Sequence, residues 1–185
     1  MGWLIAVFVV AMVVGPIMYL KPSGKEKRLS GLRLAARKAG LTVKLTAIPR
    51  LDPEPADRVS AGGEVKQPEL RCAAYQLNFN TELVVDIDIR FLRTPEKPTV
   101  PVTETFSGWM LDPNKAKAWP TSTQGVKVVL HAIAVNAPDF CLAFAVDSRF
   151  LSCYWLERAP EDGPQIAELH NFLRNAERQI LAAIG

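Results

Sequence analysis

The sequence predicts an α+β fold in which one N-terminal transmembrane helix is followed by a cytoplasmic domain of antiparallel strands with flanking helices. Three observations carry that expectation. Trp3 to Leu20 is an unbroken run of eighteen residues without a charge or a side-chain amide, and at ~1.5 Å rise per residue the first twenty positions cover roughly 30 Å, about the thickness of a bilayer core. Leu83 to Leu92 alternates, with Val85, Ile87, Ile89 and Phe91 on one side and Val84, Asp86, Asp88 and Arg90 on the other, the period of a strand. Gln165 to Ile184 repeats Ile166, Leu169, Phe172, Leu173, Ala176, Ile180, Leu181 and Ile184 at helical spacing, with Pro164 before it and Gly185 after. Four segments follow: an anchor at 1–20, a basic juxtamembrane helix and strand at 21–50, a Pro/Gly-rich acidic loop at 51–69, and an α+β domain at 70–185.

The apolar run reads as an anchor because no Lys or Arg precedes it and bulky residues end it, whereas a cleaved leader needs a basic start and small residues at the cut. Lys21, Lys25, Lys27, Arg28, Arg33, Arg37, Lys38, Lys44 and Arg50 against Glu26 give 21–50 a charge of +8, although the whole chain carries only +3. Basic flanks resist translocation, so the C-terminal side is expected in the cytoplasm and the N-terminus outside. Lys21, Lys25, Lys27, Arg28, Arg33, Arg37 and Lys38 also suit contact with anionic lipid, at ~1 kcal/mol each. The run holds no ionisable group, which argues against transport through it. Ala11 and Gly15 place two small residues on one helix face, where a second helix can approach closely.

Lys25 to Gly40 reads as an amphipathic helix through Leu29, Leu32, Ala36 and Ala39, stopped by Gly40. Leu41 to Ile48 alternates with β-branched residues and ends at Pro49, as a strand does. Residues 51–69 hold Pro53, Pro55, Pro68 and Gly62-Gly63 and read as a long exposed loop. Arg71 to Phe79 is the next strand, and the short link Asn80-Thr81-Glu82 suggests that it forms a hairpin with Leu83 to Leu92. Gly108 to Pro120 shows no clear period. Thr121-x-x-Gln124 has capping-box spacing ahead of Val126, Val129, Leu130 and Ile133. Cys141 to Val146 and Phe150 to Leu156 form a second strand pair around Asp147-Ser148-Arg149.

Chemistry is thinly signalled. Cys72, Cys141 and Cys153 are odd in number, lack C-x-x-C spacing and sit in apolar contexts, so they read as reduced core thiols. His131 and His170 form no ligand pair. Asp86 and Asp88 share a strand face roughly 6.5 to 7 Å apart, a spacing open to a cation or an acid–base pair, but beside Arg90 they read first as a solvated face. Trp109, Trp119 and Trp155 read as core or core-edge residues before they read as groove or membrane-interface residues. Phosphate loops, G-x-S-x-G, H-E-x-x-H and EF-hand patterns are missing from the sequence. No catalytic, cofactor-binding or metal residue is therefore nominated, and no aromatic interleaving accompanies the basic segment as nucleic-acid binding would need.

Met18-Tyr-Leu-Lys-Pro-Ser-Gly-Lys-Glu-Lys-Arg-Leu, an apolar span ending in an aromatic and Leu and then a basic, Pro-containing run, resembles YajC, the accessory subunit of the bacterial preprotein translocase. The resemblance covers residues 3–38 and implies a bacterial inner-membrane protein with accessory, non-catalytic duties. The leading expectation is thus a single-span protein whose domain binds a protein partner within a membrane complex, with anionic lipid as a further contact. The alternative is a membrane-tethered enzyme or small-ligand-binding domain without a recognisable motif.

Overall fold

A computed structural model describes residues 2–3, 7–12, 23–54, 57, 62–64, 68–80, 87–117, 124–158 and 164–184. The described elements run α1 (Gly24–Lys38), β1 (Thr42–Pro49), β2 (Glu69–Asn78), β3 (Asp88–Arg93), β4 (Glu104–Phe106), β5 (Trp109–Lys117), α2 (Gln124–Val135), β6 (Ala143–Asp147), β7 (Phe150–Trp155) and α3 (Gln165–Ile184). All seven strands join one sheet in the order β1-β2-β7-β6-β3-β5-β4, with antiparallel pairing throughout.

The expected class, α+β with a transmembrane helix, is corrected on both counts. The architecture is predominantly an antiparallel sheet with few helices, and among the described residues no helix is long and apolar enough to cross a membrane. The single-pass, inner-membrane placement with the N-terminus out and a cytoplasmic domain is overturned by the same finding. Eighteen apolar residues satisfy the length requirement, but crossing a bilayer needs one continuous helix that bonds its own backbone throughout. Within that run the described residues are Trp3 and 7–12, helical and exposed. Ala11 belongs to this exposed stretch, while Gly15 and Lys21 lie outside the described residues.

Alternation along the central strands sets the layering. Ala73, Tyr75 and Leu77 of β2, Ile89 and Phe91 of β3, Phe144 and Val146 of β6, and Leu151, Cys153 and Trp155 of β7 bury on one face against the helices. Leu32 and Ala36 of α1, Leu130 and Ile133 of α2, and Leu169, Leu173 and Ala176 of α3 complete that core. The opposite face is built mostly from smaller side chains, Cys72, Ala74, Ala143 and Ala145, with Tyr154 set between Ala74 and Ala143, Leu92 beside Ala143, and Ile48 and Leu51 completing the cluster. Gln76 and Ser152, both buried, pair across β2 and β7 on this face at 3.0 Å.

Two pairings depart from the sequence reading. The proposed hairpin of β2 with β3 does not form, because the hairpin β6–β7 inserts between them. Its link at Thr81–Glu82, together with 83–86, lies outside the described residues, as do Thr121 to Thr123 of the expected capping box. The unassigned segment from Gly108 contains β5, which turns back from β4 at Gly108 with φ +75°, a conformation that favours glycine. Pro113 sits where β5 leaves register with β3: Ile89 faces Ala116 and Phe91 faces Leu111. A bulge is where a strand tolerates proline.

The thiols are free and buried, and burial pushes Cys72 up to about 11 and Cys153 well above its ordinary value. Helix α3 contributes more buried core residues than either other described helix, and burying a leucine stabilises by roughly 1.5–3 kcal/mol. Leu173→Ala, at a fully buried position, is expected to cost about 2–5 kcal/mol in urea unfolding. Leu181→Ala, on the exposed side of the same helix, should change stability by less than about 0.5 kcal/mol.

Candidate functional site

Helix α1 begins with a capping box. The Ser23 hydroxyl accepts from the Glu26 N–H at 3.2 Å and the Glu26 carboxylate accepts from the Ser23 N–H at 2.7 Å, which holds the Glu26 carboxyl below its ordinary value. At the other end Gly40, at φ +83°, turns the chain into β1, so helix and strand are joined with three residues between them. Ser23-x-x-Glu26 was a readable signal for this helix start.

Only Leu32 and Ala36 of α1 are buried, and its attachment to the sheet is completed by polar contacts. Arg33 donates from Nε and Nη2 to the two oxygens of Glu157 at 2.8 and 2.6 Å, and the Tyr75 hydroxyl donates to the same carboxylate at 2.8 Å. Glu157, which follows β7, is 6% exposed and holds φ +50°. Such a backbone costs about 1–3 kcal/mol and persists only where the surroundings fix it, here through three charge-assisted hydrogen bonds. The pairing with Glu157 raises the Arg33 pKa. Burial first, and then the bond to Glu157, pushes the Tyr75 phenol above its ordinary value.

With Arg33 locked inward, α1 turns a shallow groove of about 380 Å³ outward, lined by Glu26, Leu29, Ser30, Arg33, Leu34 and Arg37. Leu34 is 52% exposed. Lys25, Lys27, Arg37 and Lys38 are exposed along the same helix, and Arg28 is partly covered. Beside this helix β1 is the outermost strand of the sheet. Among the described residues no further strand pairs with its outer edge, about 27 Å over eight residues, and Leu45 on it is 69% exposed. An open edge can receive a further strand.

The other nominated residues go elsewhere. Asp88 meets Lys115 at 3.3 Å, and Asp86 lies outside the described residues. Arg90 is buried instead of solvated: its Nε donates at 2.6 Å to Asp112, which is fully buried in the β5 bulge. Trp109 packs edge-on against Phe144 and Trp155 edge-on against Tyr75, while Trp119 lies outside the described residues. Among the described residues no three His, Cys, Asp or Glu gather in a way that could hold a metal ion.

Because the folded-state pKa of Tyr75 lies above its unfolded value of about 10, its contribution to stability is complete below that pH and is lost as pH rises toward the folded pKa. Cys72, raised to about 11, adds a loss of the same sign from about pH 9 upward. Unfolding free energy measured between pH 7 and 11 should therefore fall along the alkaline limb. Tyr75→Phe is expected to flatten that limb and to cost about 1 kcal/mol at pH 7; an unchanged limb would contradict the burial of the phenol beside Glu157.

No family model matches the chain and no curated protein matches it. Among solved structures, the crystal structure of the mycobacterial trehalose monomycolate transport factor A, TtfA, is similar at 11% identity and a TM-score of 0.30. The match covers 78% of this chain and 93% of that one.

Proposed function

We propose that this chain is a protein-interaction domain with an accessory, non-catalytic role, the kind of duty that the YajC-like pattern at 18–29 implies. The observation that supports this reading is the conjunction of the α1 groove with the outer β1 edge: an exposed Leu34 among cations, next to the outermost strand, which carries Leu45 and has no strand partner on its outer side among the described residues. Lys25, Lys27, Arg37 and Lys38 are exposed on α1, where Glu26 and the inward-turned Arg33 leave an excess of positive charge. The fitting partner is a protein segment with acidic residues flanking an apolar one. It would gain area from Leu34 and a faster, salt-sensitive encounter from the cations.

Photo-crosslinking groups placed at 34 and 45 in the full chain, with a control at Val135 on the exposed side of α2, test the reading. Crosslinks to one partner from 34 and 45 but not from 135 are expected. Leu34→Asp should weaken recruitment about tenfold while leaving stability within about 0.5 kcal/mol, as for other exposed positions. Crosslinks concentrated at 135, or none at 34 and 45, would overturn the assignment of this surface.

A further inference from the structure

Two sulphurs meet inside the helix-side core. Cys141 ends the turn ahead of β6 and Cys153 lies within β7, and both are fully buried in the same cluster. The Cys153 thiol donates to the Cys141 sulphur at 2.7 Å, and the Cys141 thiol donates to the Ala143 carbonyl at 3.2 Å. Closing the sulphurs from 2.7 Å to the ~2.05 Å of a disulfide takes a movement of about 0.7 Å.

Neither cysteine owes its place to a loose loop. Cys153 stands in the ladder between Tyr75 of β2 and Phe144 of β6. The Cys141 N–H donates to the Pro138 carbonyl at 2.9 Å, and its carbonyl accepts from Arg93 Nε at 2.8 Å. The next residue, Leu142, donates to the Tyr154 carbonyl and accepts from the Arg93 N–H, both at 2.8 Å. Phe140, just before, packs on Trp155 with ring centres 5.1 Å apart. The two backbones are therefore held beside each other by contacts that do not involve sulphur, and joining the side chains asks for rotation about χ angles alone. Cys72 is excluded from the pair: it faces Thr46 in the β1–β2 ladder and belongs to the cluster on the opposite side of the sheet.

We propose that Cys141 and Cys153 form a disulfide site, closed by a small-molecule disulfide of the glutathione class as the chain folds. One cysteine thiolate attacks a sulphur of the oxidant and displaces one glutathione thiolate, which leaves a mixed disulfide. The other cysteine thiolate then attacks the protein sulphur of that bond, forms the Cys141–Cys153 link and releases the second glutathione. The two thiol protons pass to the two released thiolates, and the electron pair lost by the cysteines is held by the reduced glutathione. Burial keeps the Cys153 thiol well above its ordinary value and bars an oxidant from the folded core, so exchange belongs to the folding chain or to an opened hairpin. Once closed, the bond spans 141–153, encloses the β6–β7 hairpin and ties the turn that holds Arg93 to the centre of the sheet. The site shares no residue with the α1 and β1 surface.

The test is refolding of the full chain from urea, once with oxidised glutathione and once with a reductant. Thiols are then counted in denaturant with a maleimide, and the product is mapped by mass spectrometry of unreduced peptides. Of the three cysteines in the chain, only Cys72 is expected to take the label after oxidative refolding. The product should be lighter by two hydrogens, with one linked peptide pair joining 141 to 153. Its urea midpoint should stand about 1 M above that of the reduced form. Cys72→Ser should keep the link, whereas Cys141→Ser should lose both the link and the gain in midpoint. Three free thiols after oxidative refolding, glutathione retained on 141 or 153 as the end product, or a linkage through Cys72 would overturn the assignment. So would a linked chain whose midpoint lies at or below that of the reduced one, because a bond that suits the native geometry does not lower it. These readings come from the unsubstituted chain and so do not depend on a variant folding. Leu34→Asp should form the same bond, which separates failure here from failure of the partner surface.

Discussion

The constraint on which the structure rests is that its central strands are buried on both faces and that the two faces demand different volumes. Tyr75, Phe91, Phe144, Leu151 and Trp155 fill the helix side, while Ala74, Ala143, Ala145 and Ser152 occupy the other. A slip of one residue in β6 or β7 would exchange these sets and drive aromatic rings into space sized for alanine. Register is thereby fixed where hydrogen bonding alone would leave it open. The same asymmetry goes with the gathering of α1, α2 and α3 on the large-residue side.

Two of the buried charges among the described residues tie separate elements together. Arg90 reaches Asp112 only because β5 bulges around Pro113 and brings the acid inward. The guanidinium also lies 5.7 Å from the ring centre of Tyr154. Glu157 collects Arg33 and Tyr75 from elements far away in sequence. Buried pairs of this kind add little net stability over an apolar substitute, yet removing one partner is costly. Their effect is on geometry: one fixes the bulge, the other fixes α1 against the sheet.

What the sequence made legible was periodicity. Helix α3, the β6–β7 hairpin, β1 and the end of α1 at Gly40 all follow from spacing, because one face of each is buried. Strand β5 stayed hidden because Asp112-Pro113-Asn114 reads as a breaker, and only the facing strand reveals that the three residues form a bulge. The β2–β3 hairpin was inferred from nearness in sequence, which a later hairpin defeated by entering between them. The apolar N-terminal run carried the composition of a span, while among the described residues no helix is long and apolar enough to cross a membrane. For the candidate sites little was legible: Leu34 and Leu45 fall within ordinary amphipathic patterns, and Cys141 and Cys153 stand 12 positions apart, without the spacing that marks a thiol pair. Glu157 offered no local signal, since its partners stand 82 and 124 positions away.

The left-handed backbone at Glu157 sets two demands on one position against each other. Glycine or asparagine would relax the backbone there, but neither carries the carboxylate that Arg33 and Tyr75 require. A glutamate suits the contacts and strains the chain. The residue at this position is therefore a compromise that no single substitution improves in both respects, and variation in its surroundings is constrained to keep all three partners together. Loosening any one of them gives the backbone reason to leave φ +50° and would free the helix it holds, so the most polar point of the core is also the hinge of its least apolar helix.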